Sequence, residues 1–258
     1  MKAWNFKTRK CIDNGIVNTV AHSLKRRGAS SLTSFPDSQC ARAIAFNKSN
    51  GHIAVGHNDG TLTIRGGVNN LDQTISKNNN SKEWIEVLRY SPNGEKLAVG
   101  SHDNNIYIYD SDNYRLLGKC AGHHSFIVSL DWSQDSNYIR SVCGAHELLF
   151  FNGNTYKQDP SGASNTTRTQ WDTNSSKFGW LVDGIFPPGT DGTHINSVDI
   201  SKDFSLIATG DDYGLVNIFR NPCRAGHKPI SLRGHSEHVV RVAFSSNENY
   251  LFSVGGYD

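Results

Sequence analysis

The sequence predicts an all-β fold of the β-propeller class with about five blades. One pattern recurs along the chain: an apolar strand, a polar turn containing Asn, Asp or Gly, and a second apolar strand that ends in small residues. The copies follow one another at the interval expected for propeller blades. The 24 glycines among 258 residues also suit many short strands joined by tight turns.

The spacing of the copies supports this prediction. Equivalent first-strand positions at Phe46, Tyr90, Trp132, Ile200 and Phe244 lie 44, 42, 68 and 44 residues apart, against about 40 to 45 residues per blade. The predicted segments are a partial blade at 1–22, full repeats at about 40–65, 83–110, 122–152 and 194–220, and a partial repeat at 234–258. The long interval contains an insertion at about 153–193, which is rich in Ser, Thr, Asn and Gly and is predicted to be a loop on one face.

The strands of each repeat differ in character. First strands alternate apolar and polar residues, and second strands are more continuously apolar, as expected when sheets pack face to face. A helical period is missing from windows of comparable length, so we expect little helix. Residues Asn69 to Ser81 are predicted to form a loop.

Composition narrows the class of protein. With 26 Lys and Arg against 24 Asp and Glu, the net charge of +2 gives no indication of a nucleic-acid or membrane partner. The five cysteines form no C-x-x-C pair, and the N-terminus lacks the apolar stretch of a signal peptide. We expect reduced thiols, a cytoplasmic protein and no cofactor or small-molecule substrate.

Several short motifs resemble parts of the WD repeat. They are Gly122-His123, Gly234-His235, the turn Asp59-Gly60 and the stretch from Gly100 to Asp103. The resemblance implies that the His and the turn Asp form hydrogen bonds within a blade, beside an aromatic residue at the end of the third strand. The implied structural positions are His123, His235, Asp59, Asp103, Trp4, Tyr109, Phe151 and Phe219, with Arg65 in an aromatic place and with His146 and Tyr213 where Asp is usual.

The segment from Gly179 to Ser197 narrows the resemblance. Its sequence Gly184-Ile185-Phe186-Pro187-Pro188-Gly189 and the following Asp191-Gly192-Thr193-His194-Ile195-Asn196-Ser197 are similar to a segment of the echinoderm microtubule-associated protein-like family, in which Trp is typical at the Phe186 position. That family implies a cytoskeletal scaffold with two fused propellers. The chain is expected to be a C-terminal fragment of such a protein.

The two ends of the chain resemble complementary halves of one repeat. Two explanations are open. The chain is a piece of a longer propeller array, which the family resemblance favours, or residues 1 to about 20 pair with 234–258 and close a ring, which would remove exposed sheet edges.

Two places are candidate partner-binding sites. Lys25, Arg26 and Arg27 form a basic run that is either a solvated loop or a contact with an acidic surface such as a tubulin tail. Trp180 and Phe186 belong to an aromatic-rich part of the insertion that either covers a blade edge or anchors a partner protein.

The sequence predicts neither a metal site nor a catalytic site. The Gly-His pairs have a structural place in the repeat, and the spacing of Cys and His does not suit zinc. Asp191, His194 and Ser197 resemble a hydrolytic triad only in residue type, since a nucleophile elbow is missing from this segment.

These observations favour a non-enzymatic scaffold of the microtubule-associated type that binds tubulin or cytoskeletal partners through its propeller faces. A general WD-repeat adaptor, in ubiquitin ligation or trafficking, is an alternative. A propeller hydrolase is a third, but the apolar inner strands offer no converging acid, base or metal ligands. Fold alone does not separate these functions.

Overall fold

The structure is a computed structural model that describes residues 3–5, 10–13, 40–187, 189 and 193–256. The chain divides into two compact units, Met1–Gln170 and Trp171–Asp258, called the N-terminal and C-terminal units. Within each sheet, strands that are consecutive in the sequence pair side by side and antiparallel.

The N-terminal unit contains a two-stranded sheet, two four-stranded sheets and a three-stranded sheet among its described residues. The sheets are β1 (Ala3–Asn5) with β2 (Lys10–Asp13); β3 (Ala41–Phe46), β4 (Ile53–His57), β5 (Leu62–Arg65) and β6 (Thr74–Asn78); β7 (Ile85–Tyr90), β8 (Lys96–Ser101), β9 (Ile106–Asp110) and β10 (Leu116–Cys120); and β11 (Ile127–Trp132), β12 (Tyr138–Cys143) and β13 (Leu148–Asn152).

The C-terminal unit contains a four-stranded and a two-stranded sheet in its described part. The strands are β14 (Ile195–Ile200), β15 (Leu206–Asp211), β16 (Leu215–Arg220) and β17 (Ile230–Arg233), then β18 (Val239–Phe244) and β19 (Leu251–Gly255). All of these strands except β17 lie in the predicted segments, and β17 lies between the last two of them. That residues 1–258 form one propeller region, with ends that complete one blade, stays a prediction.

A register shift of one residue recurs where the first strand of a repeat begins. It lies between residues 41 and 43, 85 and 87, 127 and 129, 195 and 197, and 239 and 241. Such a β-bulge inserts one extra residue into the first strand and changes the direction of the side chains beside it. Its recurrence shows that the bulge is part of the repeat. The five positions repeat the 44, 42, 68 and 44 residue intervals of the sequence, and the all-β propeller prediction is confirmed.

The prediction of a loop between Asn69 and Ser81 was wrong, because this segment contains β6. The fourth strands β10 and β17 were missed as well. These outer strands are mostly exposed, with only Cys120 among their residues buried. Since an outer strand contacts the core little, its sequence lacks the apolar pattern of a core strand, and backbone pairing with the third strand defines it.

Apolar side chains from neighbouring sheets form the core of the N-terminal unit. One cluster joins residues of β3–β5 to β7–β9, and a second joins β7–β9 to β11–β13. The largest fully buried side chains include Leu62, Leu97, Ile106, Phe151 and Trp132. The indole Nε1 of Trp132 donates to the carbonyl of Arg89 at 3.2 Å, so that even this polar atom is satisfied.

Glycines near the ends of the second strands allow neighbouring sheets to approach closely. A Cβ at Gly56 would overlap the side chain of Ile85, and a Cβ at Gly210 would overlap Val239. Ile85 and Val239 each begin the first strand of the next sheet. The small residues expected at these ends are therefore required by packing.

The insertion is more ordered than the predicted loop. It includes α1 (Gly162–Asn165) and a 3-10 turn (Asp183–Ile185). In the C-terminal unit, Val182 and Ile185 are buried in the core beside Cys223, whose backbone N–H donates to the carbonyl of Leu181 at 2.8 Å. This part of the insertion therefore packs as core.

Helix is scarce, as the sequence predicts. Over the residues that the structure describes, no helix combines the length and apolar character needed to cross a bilayer.

Candidate functional site

His123, in the turn before β11, lies close to Phe151 of β13. The His123 Nε2 atom lies 2.6 Å from Ser141 Oγ, and the rings of His123 and Phe151 are 6.0 Å apart. The imidazole is buried, and desolvation lowers the pKa of His123. A neutral His123 therefore links the Gly122-His123 turn to strand β12.

His235 repeats this arrangement in the C-terminal unit. Its Nε2 atom lies 2.8 Å from Ser253 Oγ in β19. In both pairs the serine follows the histidine by 18 residues.

The turn aspartates accept hydrogen bonds within their own turns. Asp59 Oδ1 accepts from the backbone N–H of Thr61 at 2.9 Å, and Gly60 beside it has a φ of +77°. Asp103 Oδ2 accepts from the hydroxyl of Tyr107 at 2.7 Å. Asp103 thus bonds to Tyr107, and the expected partner aromatic Tyr109 is buried and donates to Asn80 at 3.0 Å.

Asp211 was missed by the sequence reasoning. Its Oδ1 accepts from the backbone N–H groups of Tyr213 and Leu215, both at 2.9 Å, and its Oδ2 accepts from Asn217 Nδ2 at 3.0 Å. Asp211 therefore holds the turn at which Tyr213 was thought to replace the usual Asp. Phe219 is buried in the same unit. The signal was present, because Asp211 directly follows the Gly210 that ends the second strand.

Arg65 occupies the aromatic place of the first full repeat. It is buried, and its Nη1 donates to Thr74 Oγ1 at 2.8 Å. Desolvation lowers the pKa of Arg65. The guanidinium therefore joins β5 to the outer strand β6.

Three predicted residue sets lie wholly or partly outside the residues that the structure describes. Lys25, Arg26 and Arg27 lie outside the described residues, and for Trp4 only the backbone is described, pairing with Cys11. Asp191 of the supposed triad is also outside. Of the other two members, His194 stacks on Tyr213 at 5.5 Å and Ser197 Oγ accepts from the backbone N–H of Val242 at 3.1 Å.

Trp180 and Phe186 line a cavity of about 380 Å³ in the C-terminal unit. Trp180 is 54% exposed, and the Arg224 guanidinium lies 5.1 Å from its ring centroid. Phe186 stacks on Phe178 at 5.9 Å and packs partly buried against the core. Trp180 is thus available to a partner, whereas Phe186 mainly covers the core.

A row of stacked side chains in the N-terminal unit was not predicted. The Arg42 guanidinium lies 3.9 Å from the centroid of Trp84, Trp84 lies 5.0 Å from His102, and His102 lies 4.6 Å from Phe126. Trp84 and Phe126 are 39% and 40% exposed. We call Arg42, Trp84, His102 and Phe126 the aromatic row.

A recurring backbone hydrogen bond positions this row. The N–H of His102 donates to the carbonyl of Trp84, and the N–H of Gly144 donates to the carbonyl of Phe126, both at 2.8 Å. Each bond joins the residue before a first strand to the residue after a second strand. Trp84, His102 and Phe126 therefore lie at the same edge of their sheets. Aligning the repeats at the position before each first strand would have revealed Trp84 and Phe126.

Three possible metal ligands also meet at this edge. His123, Cys143 and Glu147 place one ligand atom each within 4.8 Å of one another. The Glu147 carboxylate accepts from the backbone N–H of His124 at 2.9 Å and contacts its Nδ1 at 2.6 Å. These hydrogen bonds lower the pKa of Glu147 to about 2. Among the cysteines whose side chains are described, Cys40, Cys120, Cys143 and Cys223 are free thiols.

The repeated antiparallel sheets, their common bulge and the His–Ser pairs define the class of this protein as a WD-type β-propeller. A family model described as the second β-propeller of echinoderm microtubule-associated protein matches residues 3–258. The chain belongs to this family.

Similar proteins agree with this assignment. The ciliary WD repeat-containing protein ctxp80 of Euplotoides octocarinatus is 60% identical over 99% of the chain and 36% of its own length. The 77 kDa echinoderm microtubule-associated protein of Lytechinus variegatus is 38% identical over 87% of the chain and 34% of its own length. The human echinoderm microtubule-associated protein-like 1 is 40% identical over 84% of the chain and 27% of its own length.

The chain therefore spans about a third of the length of these curated relatives. Their names describe WD-repeat and microtubule-associated proteins and mention no catalytic activity. A chain in the crystal structure of a mitotic checkpoint complex has a TM-score of 0.68 and 14% identity, covering 98% of this chain and 78% of that one. At this identity the likeness concerns the fold alone.

Proposed function

We propose that the chain is a non-enzymatic scaffold that binds tubulin, with the aromatic row as part of its binding surface. The row is the observation that carries the proposal. It offers Trp84 and Phe126 to solvent, with the Arg42 guanidinium stacked on the indole. Trp and Arg are the residue types that most often dominate the energy of protein interfaces.

Preorganisation makes the row a suitable binding surface. Each ring is held by a neighbour on at least one side, and the Trp84 and Phe126 carbonyls are fixed by backbone hydrogen bonds. Side chains that are already ordered lose little conformational freedom when a partner binds.

Tubulin is proposed as the partner because the chain belongs to a family named for microtubule association. Arg42 supplies a positive charge that suits an acidic partner surface, so binding should weaken as the salt concentration rises. The proposal includes a cytoplasmic, cytoskeleton-associated protein whose partner is neither a nucleic acid, a membrane nor a small-molecule substrate.

The test is co-sedimentation of the 258-residue chain with microtubules, together with binding to soluble tubulin. We expect Trp84→Ala to weaken binding about 30-fold, which corresponds to a hot-spot cost of about 2 kcal/mol. Tyr250→Ala removes another strongly exposed aromatic ring, in the C-terminal unit, and serves as the matched control with unchanged affinity.

Different results separate the parts of the proposal. A native chain that binds neither microtubules nor soluble tubulin refutes the tubulin-binding function. If Trp84→Ala binds as tightly as Tyr250→Ala, the aromatic row is not the surface. Loss of binding in Trp180→Ala alone would instead assign the surface to the insertion.

A further inference from the structure

We propose that His123, Cys143 and Glu147 form a zinc site in the N-terminal unit. The three residues come from different places: the turn before β11, the end of β12, and the loop between β12 and β13. Thiolate, imidazole and carboxylate are all common zinc ligands. The sequence predicted no metal site because the spacing of His123, Cys143 and Glu147 along the chain matches no zinc motif. Folding brings the three residues together.

The distances between the ligand atoms suit tetrahedral coordination. Zn–N and Zn–O bonds of about 2.0 Å and a Zn–S bond of about 2.3 Å place neighbouring ligand atoms about 3.3–3.5 Å apart. Glu147 Oε2 lies 3.2 Å from Cys143 Sγ and 3.6 Å from His123 Nδ1. Because all three atoms lie within 4.8 Å of one another, a shift of about 1 Å by one side chain completes the geometry.

The orientation of His123 is a second, independent indication. His123 as a residue is only 7% exposed, yet its Nδ1 atom has no hydrogen-bond partner. A separation of 3.6 Å from Glu147 is too long for a hydrogen bond. A buried polar atom without a partner is costly, and a cation between Nδ1 and the carboxylate would satisfy it.

The other ring nitrogen has the partner that a metal-bound histidine requires. His123 Nε2 lies 2.6 Å from Ser141 Oγ. In the tautomer that carries its proton on Nε2, this nitrogen would donate to the hydroxyl and the Nδ1 lone pair would be available to the metal. Such outer contacts fix the orientation of ligating histidines.

His124 holds the third ligand in place. Its Nδ1 and backbone N–H contact the two oxygens of Glu147, so the carboxylate is oriented before a cation binds. With three protein ligands, a water molecule would complete the tetrahedral coordination. On binding, the Cys143 thiol, which donates to Glu147 Oε2, releases its proton to solvent and ligates as thiolate.

The second Gly-His pair shows that this cluster is not required by the repeat. His235 contacts Ser253 in the same way, but the residue that corresponds to Cys143 is Gly255. The proposed zinc would join the Gly122-His123 turn to the β12–β13 loop. It would therefore stabilise this sheet.

The site can be tested by titrating the reduced, metal-free 258-residue chain with Co²⁺ and then with Zn²⁺. We expect a thiolate-to-cobalt charge-transfer band that Zn²⁺ removes. Cys143→Ser should abolish the band and weaken Zn²⁺ binding more than about 100-fold, since even outer contacts contribute about 10- to 100-fold. His124→Ala should weaken it about 10-fold.

The matched control is Cys120→Ser. Cys120 is a buried free thiol in β10. Among the described residues it belongs to no group of three possible metal ligands, so the band should persist in this variant. Glu147→Gln is a second ligand variant, at a partly exposed position, and should also weaken Co²⁺ binding more than about 10-fold. A native chain without the band, or a band that persists in Cys143→Ser, overturns the proposal.

Discussion

Removing the Ser141 hydroxyl tests the His–Ser link that joins the Gly122-His123 turn to strand β12. Ser141 is 1% exposed, and its Oγ lies 2.6 Å from the buried Nε2 of His123. In Ser141→Ala the Cβ remains and the cavity is small, so the main change is the loss of one hydrogen bond. The imidazole would then have two buried nitrogens without a hydrogen-bond partner, since Nδ1 lacks one already.

The expected cost follows from this burial. A buried polar group left without its partner costs about 1–3 kcal/mol, so the free energy of unfolding should fall by that amount. Ser253→Ala removes the equivalent 2.8 Å contact of His235, where both residues are only half-buried. Water can replace that bond, and the cost should stay below about 1 kcal/mol.

The assay is urea unfolding in the presence of a chelator, followed by circular dichroism and tryptophan fluorescence. Trp132 is buried in the same sheet as Ser141 and reports local loss of packing. Equal costs for Ser141→Ala and Ser253→Ala, or no cost for either, would refute the reasoning from burial.

Three further predictions concern packing, the turn network and pH. Gly210→Ala places a Cβ against the next sheet and should lower the free energy of unfolding by about 1–3 kcal/mol. In the control Gly234→Ala the new Cβ meets no atom within 4 Å, so the free energy of unfolding should change little. Equal urea midpoints for the two variants would contradict this packing argument. Tyr107→Phe removes the 2.7 Å bond to Asp103 and should cost about 1–2 kcal/mol in the same assay. Because the pKa of Glu147 is lowered from 4.5 to about 2 in the folded chain, its stabilising effect is complete above pH 4.5 and is lost as the pH falls towards 2. The difference in free energy of unfolding between the native chain and Glu147→Gln should therefore shrink as the pH falls from 4.5 towards 2. A difference that stays constant over this range would contradict the lowered pKa of Glu147.

The repeat itself could be predicted from the sequence because its core strands face neighbouring sheets on both sides. Burial imposes apolar side chains on these strands and small residues where sheets approach, as at Gly56 and Gly210. The same pattern recurs in each repeat, and its spacing reproduces the spacing of the bulges in the structure.

The outer strands could not be predicted in this way. β17 is exposed at every position, and β6 is exposed or half-buried throughout. Backbone pairing with the third strand specifies them, and the side-chain pattern carries little of that information.

The candidate sites were harder still to predict from the sequence, because they depend on contacts between residues that are far apart along the chain. Glu147 meets His124 over 23 residues, and the aromatic row combines residues of three sheets. Trp180 could be singled out because it belongs to an aromatic-rich segment of an insertion that is otherwise rich in Ser, Thr, Asn and Gly. For Asp211, the sequence reasoning followed the usual position of the turn aspartate and so overlooked the residue that bonds the turn.

Hydrogen exchange of the chain with and without tubulin tests the central proposal most directly. Protection reports which backbone segments become buried or ordered on binding. We expect tubulin to protect peptides around residues 41–44, 84–87 and 124–127, which carry or adjoin the aromatic row, and to leave the peptide around 248–254 unchanged. The absence of protection at all three segments, or protection confined to other parts of the chain, would contradict the proposed surface.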